Sequence, residues 1–230
     1  MRVRGSRSRT LTTRAFRSTG TERSPCIEPM TAPFHAISGV LLCGGASQRM
    51  GSDKALLRLE GEALLDRGIA ALASLAGEVL IAPGSRSRYG DRGLPEALDS
   101  EPGQGPAAGI LAGLAAAAEE RVLFVAVDLP HLKDCPLREL VQLAVDQDAD
   151  VALLDDGRER PPLVLCVHRR VRAAFERDYA AGARRIIDLT KGKTIVRLRV
   201  DPEMAVNWNR PEDLDLGVAL RDSAPRGERT

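Results

Sequence analysis

An apolar, β-prone run that begins at Ile37 leads into the sequence Leu42-Cys43-Gly44-Gly45-Ala46-Ser47-Gln48-Arg49-Met50-Gly51-Ser52-Asp53-Lys54. Adjacent glycines lack Cβ atoms, so the backbone N–H groups of this loop can approach a ligand closely. Arg49 and Lys54 bring two cations to the same loop. Amide donors and cations together suit a polyphosphate. The stretch therefore predicts a phosphate-binding loop at the end of a buried strand.

The loop differs from two commoner glycine motifs. A Walker motif needs Gly-Lys-Ser/Thr, but Lys54 stands between Asp53 and Ala55. The dinucleotide motif Gly-x-Gly-x-x-Gly is also missing, because Gly44 and Gly45 are adjacent. A surface turn with incidental charges is the alternative interpretation. The order of strand, glycines, arginine and lysine favours phosphate binding over that alternative.

Composition excludes several classes of function. The 230 residues carry a formal net charge of +1, so no global field attracts nucleic acid or an anionic membrane. The longest uncharged apolar stretch, residues 107–118, is too short to span a bilayer. The four cysteines show no paired spacing, and with only three histidines the sequence shows no zinc-binding cluster. This pattern indicates free thiols in a reducing cytoplasm. We expect a cytoplasmic protein, either a monomer or a weak homo-oligomer.

The ends of the chain differ from its middle. Residues 1–36 scatter arginines among serines and threonines and cannot build a core. We expect a disordered extension there, or a spurious one if Met30 is the true start; a transit peptide or a basic arm for nucleic acid is the alternative. Residues 37–220 are predicted to form the functional domain, and residues 221–230 a disordered tail.

Strand and helix patterns alternate through the middle of the chain, which predicts a three-layer α/β/α domain with a mostly parallel sheet. In such sheets, ligands bind outside the carboxyl ends of the strands. Gly44, Asp99 and Asp128 each follow an apolar strand pattern and are therefore candidate site residues. The strands are predicted at residues 37–43, 78–82, 97–98, 122–127, 150–154, 162–167 and 194–200, and the helices at 61–76, 106–119, 136–147, 171–183 and 210–220.

The two aspartates suit different ligands. Asp128 follows the most apolar strand, where a rigidly held carboxylate suits Mg²⁺ together with substrate phosphates. Its alternative role is that of a turn residue or helix N-cap. Asp99 precedes a loop containing Gly103, Gly105 and Pro106, which either contacts a nucleotide or only shapes a tight strand-to-helix turn.

The glycine loop resembles the signature of nucleotidyltransferases that transfer a nucleoside monophosphate to a phosphate acceptor. It is most similar to the molybdenum cofactor guanylyltransferase family, whose loop is Leu-Ala-Gly-Gly-x-x-x-Arg-Met-Gly-x-Asp-Lys. Three further segments resemble family signatures: the loop after Asp99, the segment at Asp128, and residues 206–214. The resemblance implies a Rossmann-like nucleotide-diphospho-sugar transferase fold. The loop matches at Leu42, Gly44, Gly45, Arg49, Met50, Gly51, Asp53 and Lys54.

The resemblance also implies the roles of individual residues. Catalytic roles fall on Lys54, Arg49 and Asp128, and Asp128 is the implied Mg²⁺ ligand. Acceptor binding falls on Asn207, Arg184 and Arg185, with a solvated helix end as the alternative interpretation of the two arginines. From its own chemistry, Asn209 is expected to cap the helix that follows it. The residues implied to bind the nucleotide are Leu42, Gly44, Gly45, Lys54, Asp99 and Asp128.

The implied activity is transfer of GMP from GTP to molybdenum-molybdopterin, which yields molybdopterin guanine dinucleotide and pyrophosphate. The implied partners are GTP, the molybdopterin cofactor and molybdoenzyme maturation proteins, with no nucleic acid or membrane. Ala82 departs from the asparagine that the family places at this strand end to contact the nucleotide. Two alternatives stay open: a cytidylyl- or sugar-nucleotidyltransferase of the same fold, and a non-catalytic nucleotide-binding maturation factor.

Overall fold

The computed structural model describes residues 13–15, 34–44 and 53–208. The strands are β1 (Thr13–Ala15), β2 (Phe34–Leu42), β3 (Arg58–Leu59), β4 (Glu62–Ala63), β5 (Ala76–Gly84), β6 (Glu96–Leu98), β7 (Arg121–Ala126), β8 (Val151–Asp155), β9 (Val164–His168) and β10 (Ile195–Arg199). The helices are α1 (Leu64–Ala73), α2 (Pro106–Ala116), α3 (Asp134–Asp146), α4 (Arg172–Ala180) and α5 (Ile186–Leu189).

In the described part of the chain, eight strands form one sheet in the order β1-β10-β8-β9-β7-β2-β5-β6. All neighbours pair in parallel except β9, which is antiparallel to both β7 and β8. Residues 156–163 connect β8 to β9 and are too few for the crossover that a parallel pair requires. The predicted mostly parallel sheet is confirmed, with this one reversed strand as an addition.

Helices cover both faces of the sheet, so the predicted three layers are confirmed. Leu41 of β2 belongs to the core that contains Leu72 of α1 and Leu140 of α3. Its neighbour Val40 points to the opposite core, with Ile110 of α2. This alternation along one strand, buried on both sides, explains why the strands are apolar without interruption.

The structure corrects the start of the first predicted helix and adds a hairpin. The helix was expected from residue 61, but α1 begins at Leu64. Glu60 and Gly61 have φ angles of 56° and 84° and join β3 to β4 as an antiparallel hairpin. A helix cannot pass through two successive left-handed residues. The predicted helix at 210–220 lies outside the described residues.

Strand β1 lies within residues 1–36, where it pairs in parallel with β10. The limits of the predicted domain and of its two extensions stay predictions. Across the ranges that the structure describes, no helix has the length and hydrophobicity needed to cross a membrane.

The fold brings several strand ends to one edge of the sheet. Leu42 at the end of β2 pairs with Ala82 of β5 on one side and with Ala126 of β7 on the other. Leu98 at the end of β6 pairs with Gly84 of β5. Because these strands are parallel, the residues that follow them lie along the same edge.

Candidate active site

A cleft of about 540 Å³ opens at this edge of the sheet. It is lined by residues from the ends of β2, β5, β6 and β7 and by the start of α2. The structure thus brings together six of the residues that the sequence singled out. These are Leu42, Gly44, Lys54, Asp99, Asp128 and Asn207.

Gly44 is required by the close approach of two strand ends. The N–H of Cys43 donates to the Ala82 carbonyl at 2.9 Å, which draws the end of β2 against β5. A Cβ placed on Gly44 would lie 3.2 Å from the Gly84 nitrogen and 3.3 Å from its Cα. A side chain at this position would require one of the two backbones to shift by a few tenths of an ångström, so glycine allows the two strand ends to lie this close.

Lys54 and Asp128 face one another across the cleft. The Lys54 Nζ lies 3.7 Å from the Asp128 Oδ2, and each side chain is about one-fifth exposed. Lys54 begins a short 3₁₀ helix that the Asp53 side chain caps by accepting from the Ala55 N–H. Asp128 follows β7 closely: the Val127 N–H still donates to the Leu42 carbonyl at 3.1 Å. Backbone or capping hydrogen bonds next to both residues therefore fix the segments that carry the two charges.

Burial raises the pKa of the Asp128 carboxyl above its ordinary value, and the nearby Lys54 ammonium opposes that rise. A carboxylate in this setting gains from a second cation. The alternative role of Asp128 as a helix N-cap is wrong, because α3 begins at Asp134 with Lys133 at its N-cap. Asp128 lies in the turn after β7.

The donor set fits Mg²⁺ that arrives with a phosphate ligand. Within the described ranges, no group of three or more His, Cys, Asp or Glu side chains could hold a metal alone. Mg²⁺ commonly takes only one or two carboxylates plus substrate phosphates and water. Asp128 offers a carboxylate, and Asn207 offers a buried Oδ1 that has no hydrogen-bond partner. The Trp208 N–H ties this segment to the Asp128 carbonyl at 2.9 Å.

Asp99 presents an unsatisfied acceptor to the cleft. Its Oδ1 is buried without a hydrogen-bond partner, and burial raises the pKa of this carboxyl. Its N–H donates to the Gly84 carbonyl at 2.9 Å, which fixes it at the end of β6. A buried acceptor without a partner is costly unless a ligand supplies an N–H donor. Ala82, which is 1% exposed, lines the same cleft but offers no polar side-chain atom.

The glycine loop after Asp99 both shapes a turn and lines the cleft. Gly103 and Gly105 have φ angles of 74° and 76°, a region that side chains disfavour. Gly105 is the N-cap of α2, and Pro106 occupies its first turn. The two interpretations left open by the sequence are therefore compatible, because the same turn that needs glycine also borders the ligand space.

The two arginines predicted to bind the acceptor do not line this cleft. Arg184 stacks over the Tyr179 ring at 4.1 Å and donates to the Gln104 Oε1 at 2.8 Å. It therefore supports the loop at residues 103–105 from outside the cleft. Arg185 is the N-cap residue of α5. Acceptor binding by Arg184 and Arg185 stays a prediction.

Several residues named by the sequence motifs lie outside the described residues. These include Gly45 and Arg49 of the glycine loop, and Asn209. The roles expected for them stay predictions.

The sequence did not single out Arg88 and Tyr89, which the structure places beside the loop. The Arg88 guanidinium lines the cleft and donates to the carbonyls of Cys43 and Pro83 at 2.7 and 2.8 Å. The Tyr89 hydroxyl donates to the Asp53 carboxylate, with distances of 3.0 and 2.9 Å to its two oxygens. The available signal was the rule on strand ends, applied to the polar segment that follows β5.

Known proteins resemble this chain over most of its length. The MobA-like NTP transferase domain family matches residues 39–196. A probable molybdenum cofactor guanylyltransferase of Opitutus terrae is 34% identical over 197 residues, covering 81% of this chain and 96% of the relative. A molybdenum cofactor guanylyltransferase of Photobacterium profundum is 33% identical over 181 residues, covering 77% and 93%.

The fold is shared with a solved structure, the molybdopterin-guanine dinucleotide biosynthesis protein A of Archaeoglobus fulgidus. Its TM-score is 0.65 at 19% identity, covering 81% of this chain and all of that one. The resemblance that began with one loop is thereby confirmed over most of the sequence. The chain is a nucleotidyltransferase that belongs to the MobA-like NTP transferase family, beside the molybdenum cofactor guanylyltransferases.

Proposed function

We propose that the chain transfers GMP from GTP to molybdenum-molybdopterin, which forms molybdopterin guanine dinucleotide and releases pyrophosphate. One observation carries the proposal: the Lys54 ammonium and the Asp128 carboxylate lie 3.7 Å apart in a cleft that Gly44 also lines. Membership of the family and the guanylyltransferase relatives support the choice of reaction.

The reaction is an in-line displacement at the α-phosphorus of GTP. An oxygen of the acceptor's terminal phosphate forms the new P–O bond, and the bond to pyrophosphate breaks. A phosphate monoester is largely ionised at neutral pH, so the protein need not supply a general base. Its contribution is positioning and charge stabilisation. Lys54, Arg49 and the amides of Gly44 and Gly45 stabilise the charge that builds on pyrophosphate.

Asp128 and the Asn207 amide oxygen are the groups that would hold Mg²⁺. When bound, Mg²⁺ neutralises charge on phosphate oxygens. Asn207 also lines the cleft. Its second proposed role is to contact the acceptor. Arg184 donates to Gln104 in the loop at residues 103–105, and Arg185 is the N-cap of α5. Both are proposed to attract the acceptor's phosphate.

Asp99 is proposed to read the base. Guanine presents two adjacent donors, N1–H and the N2 amino group, which match the two oxygens of one carboxylate. Cytosine presents only its N4 amino group on the equivalent edge. The unpartnered Oδ1 of Asp99 therefore supports GTP over CTP, even though Ala82 contributes no hydrogen bond.

We further propose that the reaction takes place in the cytoplasm, and that molybdoenzyme maturation proteins receive its product. Cys43 and Cys166 are buried thiols, and the cytoplasm keeps thiols reduced. We also propose that the chain is a monomer or a weak homo-oligomer.

The proposal is tested by measuring pyrophosphate release with GTP, CTP and UTP in parallel, with Mg²⁺ and with or without molybdenum-molybdopterin. We expect release with GTP that requires both the acceptor and Mg²⁺. Faster release with CTP or UTP would replace guanylyl transfer by one of the alternatives on the same fold. Tight GTP binding without any release would instead indicate a non-catalytic maturation factor.

A further inference from the structure

We propose that Arg88 is a positioning residue, which acts on the triphosphate through Asp53 and Lys54. This inference rests on the proposed function and adds a residue to its machinery. Arg88 lies in the segment between β5 and β6, distant in sequence from the glycine loop.

The guanidinium of Arg88 joins three separate points at the edge of the sheet. Its Nη2 donates to the carbonyl of Cys43, which follows β2, and to the carbonyl of Pro83 near the end of β5. Its Nη1 lies 3.3 Å from the Asp53 Oδ2. A planar guanidinium can serve several acceptors in fixed directions, which a lysine ammonium cannot reproduce. Arg88 thus fixes the start of the glycine loop and its end relative to each other.

Asp53 connects Arg88 to the backbone at Lys54. Its carboxylate accepts from Arg88 and from the Tyr89 hydroxyl, and it also accepts from the Ala55 N–H at 3.1 Å. The last contact caps the 3₁₀ helix Lys54–Leu56. The backbone that carries the Lys54 ammonium therefore has its position set by Arg88 and Tyr89.

The supporting segment is itself anchored. The backbone N–H groups of Arg88 and Tyr89 donate to the Glu96 Oε1 at 3.3 and 2.8 Å. The Tyr89 side chain is 2% exposed and packs in the core, and burial raises the pKa of its hydroxyl. The Tyr89 hydroxyl therefore stays protonated and donates its hydrogen bond to Asp53 throughout the physiological pH range.

Arg88 also offsets negative charge beside the cleft. Two carbonyl oxygens and the Asp53 carboxylate would each repel a triphosphate placed beside them. Arg88 donates to all three, so its positive charge offsets the Asp53 carboxylate and its N–H groups satisfy the two carbonyls before the nucleotide arrives. A cleft prepared in this way stabilises charge without reorganising during the reaction.

A double-mutant cycle separates positioning from direct phosphate contact. Arg88→Ala is expected to lower kcat roughly ten- to a hundredfold with a smaller change in KM for GTP, since small displacements of catalytic groups are costly. If Arg88 acts through Lys54, Arg88→Ala has little further effect in a Lys54→Ala background. If Arg88 contacts phosphate independently, the two losses multiply, and that result would overturn the inference.

Conservative variants and a matched control accompany the cycle. Arg88→Lys keeps the positive charge but loses the planar set of N–H donors, so its kcat should stay close to that of Arg88→Ala. Tyr89→Phe removes one donor to Asp53 and should lower kcat by a smaller factor. Arg92→Ala is the control, because Arg92 follows in the same segment but pairs with Asp66 and does not line the cleft. Its kcat should equal that of the wild type.

Thermal unfolding of each variant identifies loss of folding. If Arg88→Ala does not fold, the cycle is repeated with Tyr89→Phe and Lys54→Ala, which makes the same non-additive prediction. Wild-type kcat in Arg88→Ala contradicts positioning while leaving the proposed function intact. A wild-type chain that neither binds GTP nor releases pyrophosphate removes both proposals together.

Discussion

At the scale of single residues, the chemistry of this chain depends on where polar groups meet strand ends. Gly44, Asp99 and Asp128 could be predicted, because a polar or glycine residue directly after an apolar run marks the ligand-binding edge of a parallel sheet. The same rule points to the polar segment after β5, but it does not single out Arg88 within that segment. Its partners Cys43 and Asp53 are 45 and 35 positions away, and nothing local in sequence encodes such contacts.

The half-buried Asp99 carboxyl gives a prediction on pH. Its pKa is raised by burial above the ordinary 3.8, and only the ionised form accepts two guanine N–H groups fully. Affinity for GTP should therefore weaken as pH falls through this raised pKa, at a higher pH than an exposed aspartate would show. Asp99→Asn should weaken GTP binding by about tenfold or more at neutral pH, as expected for hydrogen bonds to a charged group.

The measurement is the dissociation constant of GTP from about pH 4, close to the ordinary aspartate pKa, to pH 8 for the wild type and for Asp99→Asn. The phosphates of GTP titrate identically in both series, so the ratio of the two constants isolates Asp99. A ratio that stays constant across this range would show that Asp99 does not bind the base as a carboxylate.

At the scale of elements, the long apolar strands and the helix α2 were predictable, and the short or reversed elements were not. Pro106 marked the start of α2 because its missing N–H is harmless in a first turn. The hairpin of β3 and β4 has only two residues per strand, too few for a periodic signal. Strand β9 reverses because its connection is short, and strand patterns do not reveal direction.

The packing of α2 on the sheet gives a prediction on stability. A Cβ on Gly113 would lie 2.6 Å from the Phe124 Cε1 and 3.1 Å from the Val40 Cγ1, both in the core. Gly113→Ala should lower the free energy of unfolding by about 1–3 kcal/mol, because overpacking outweighs the helix propensity of alanine.

Chemical denaturation of Gly113→Ala checks this expectation. Gly90→Ala is the control, since an added Cβ there meets only the Ser87 Oγ, at 4.0 Å, and its stability should be unchanged or slightly higher. Equal midpoints for Gly113→Ala and the wild type would mean that the helix shifts on the sheet without cost.

At the scale of the whole molecule, both faces of the sheet are covered, so the carboxyl edge is left as the place where a ligand is held by several strands at once. The glycines and charges that meet there come from segments between residues 42 and 207, which explains why separate motifs of the sequence converge on one cleft. The motifs identified the family and most of the cleft. The contact of Arg184 with the loop at residues 103–105 could be seen only in the structure.

The central claim is that Lys54 and Asp128 act on the triphosphate of one nucleotide. It is tested most directly by a crystal structure with Mg²⁺ and a GTP analogue whose α,β-bridging oxygen is replaced by methylene, so that it cannot be cleaved. We predict the triphosphate beside the Lys54 ammonium, the metal on Asp128 and the guanine on Asp99. A triphosphate bound elsewhere, with Lys54 and Asp128 still paired to each other, would contradict the account.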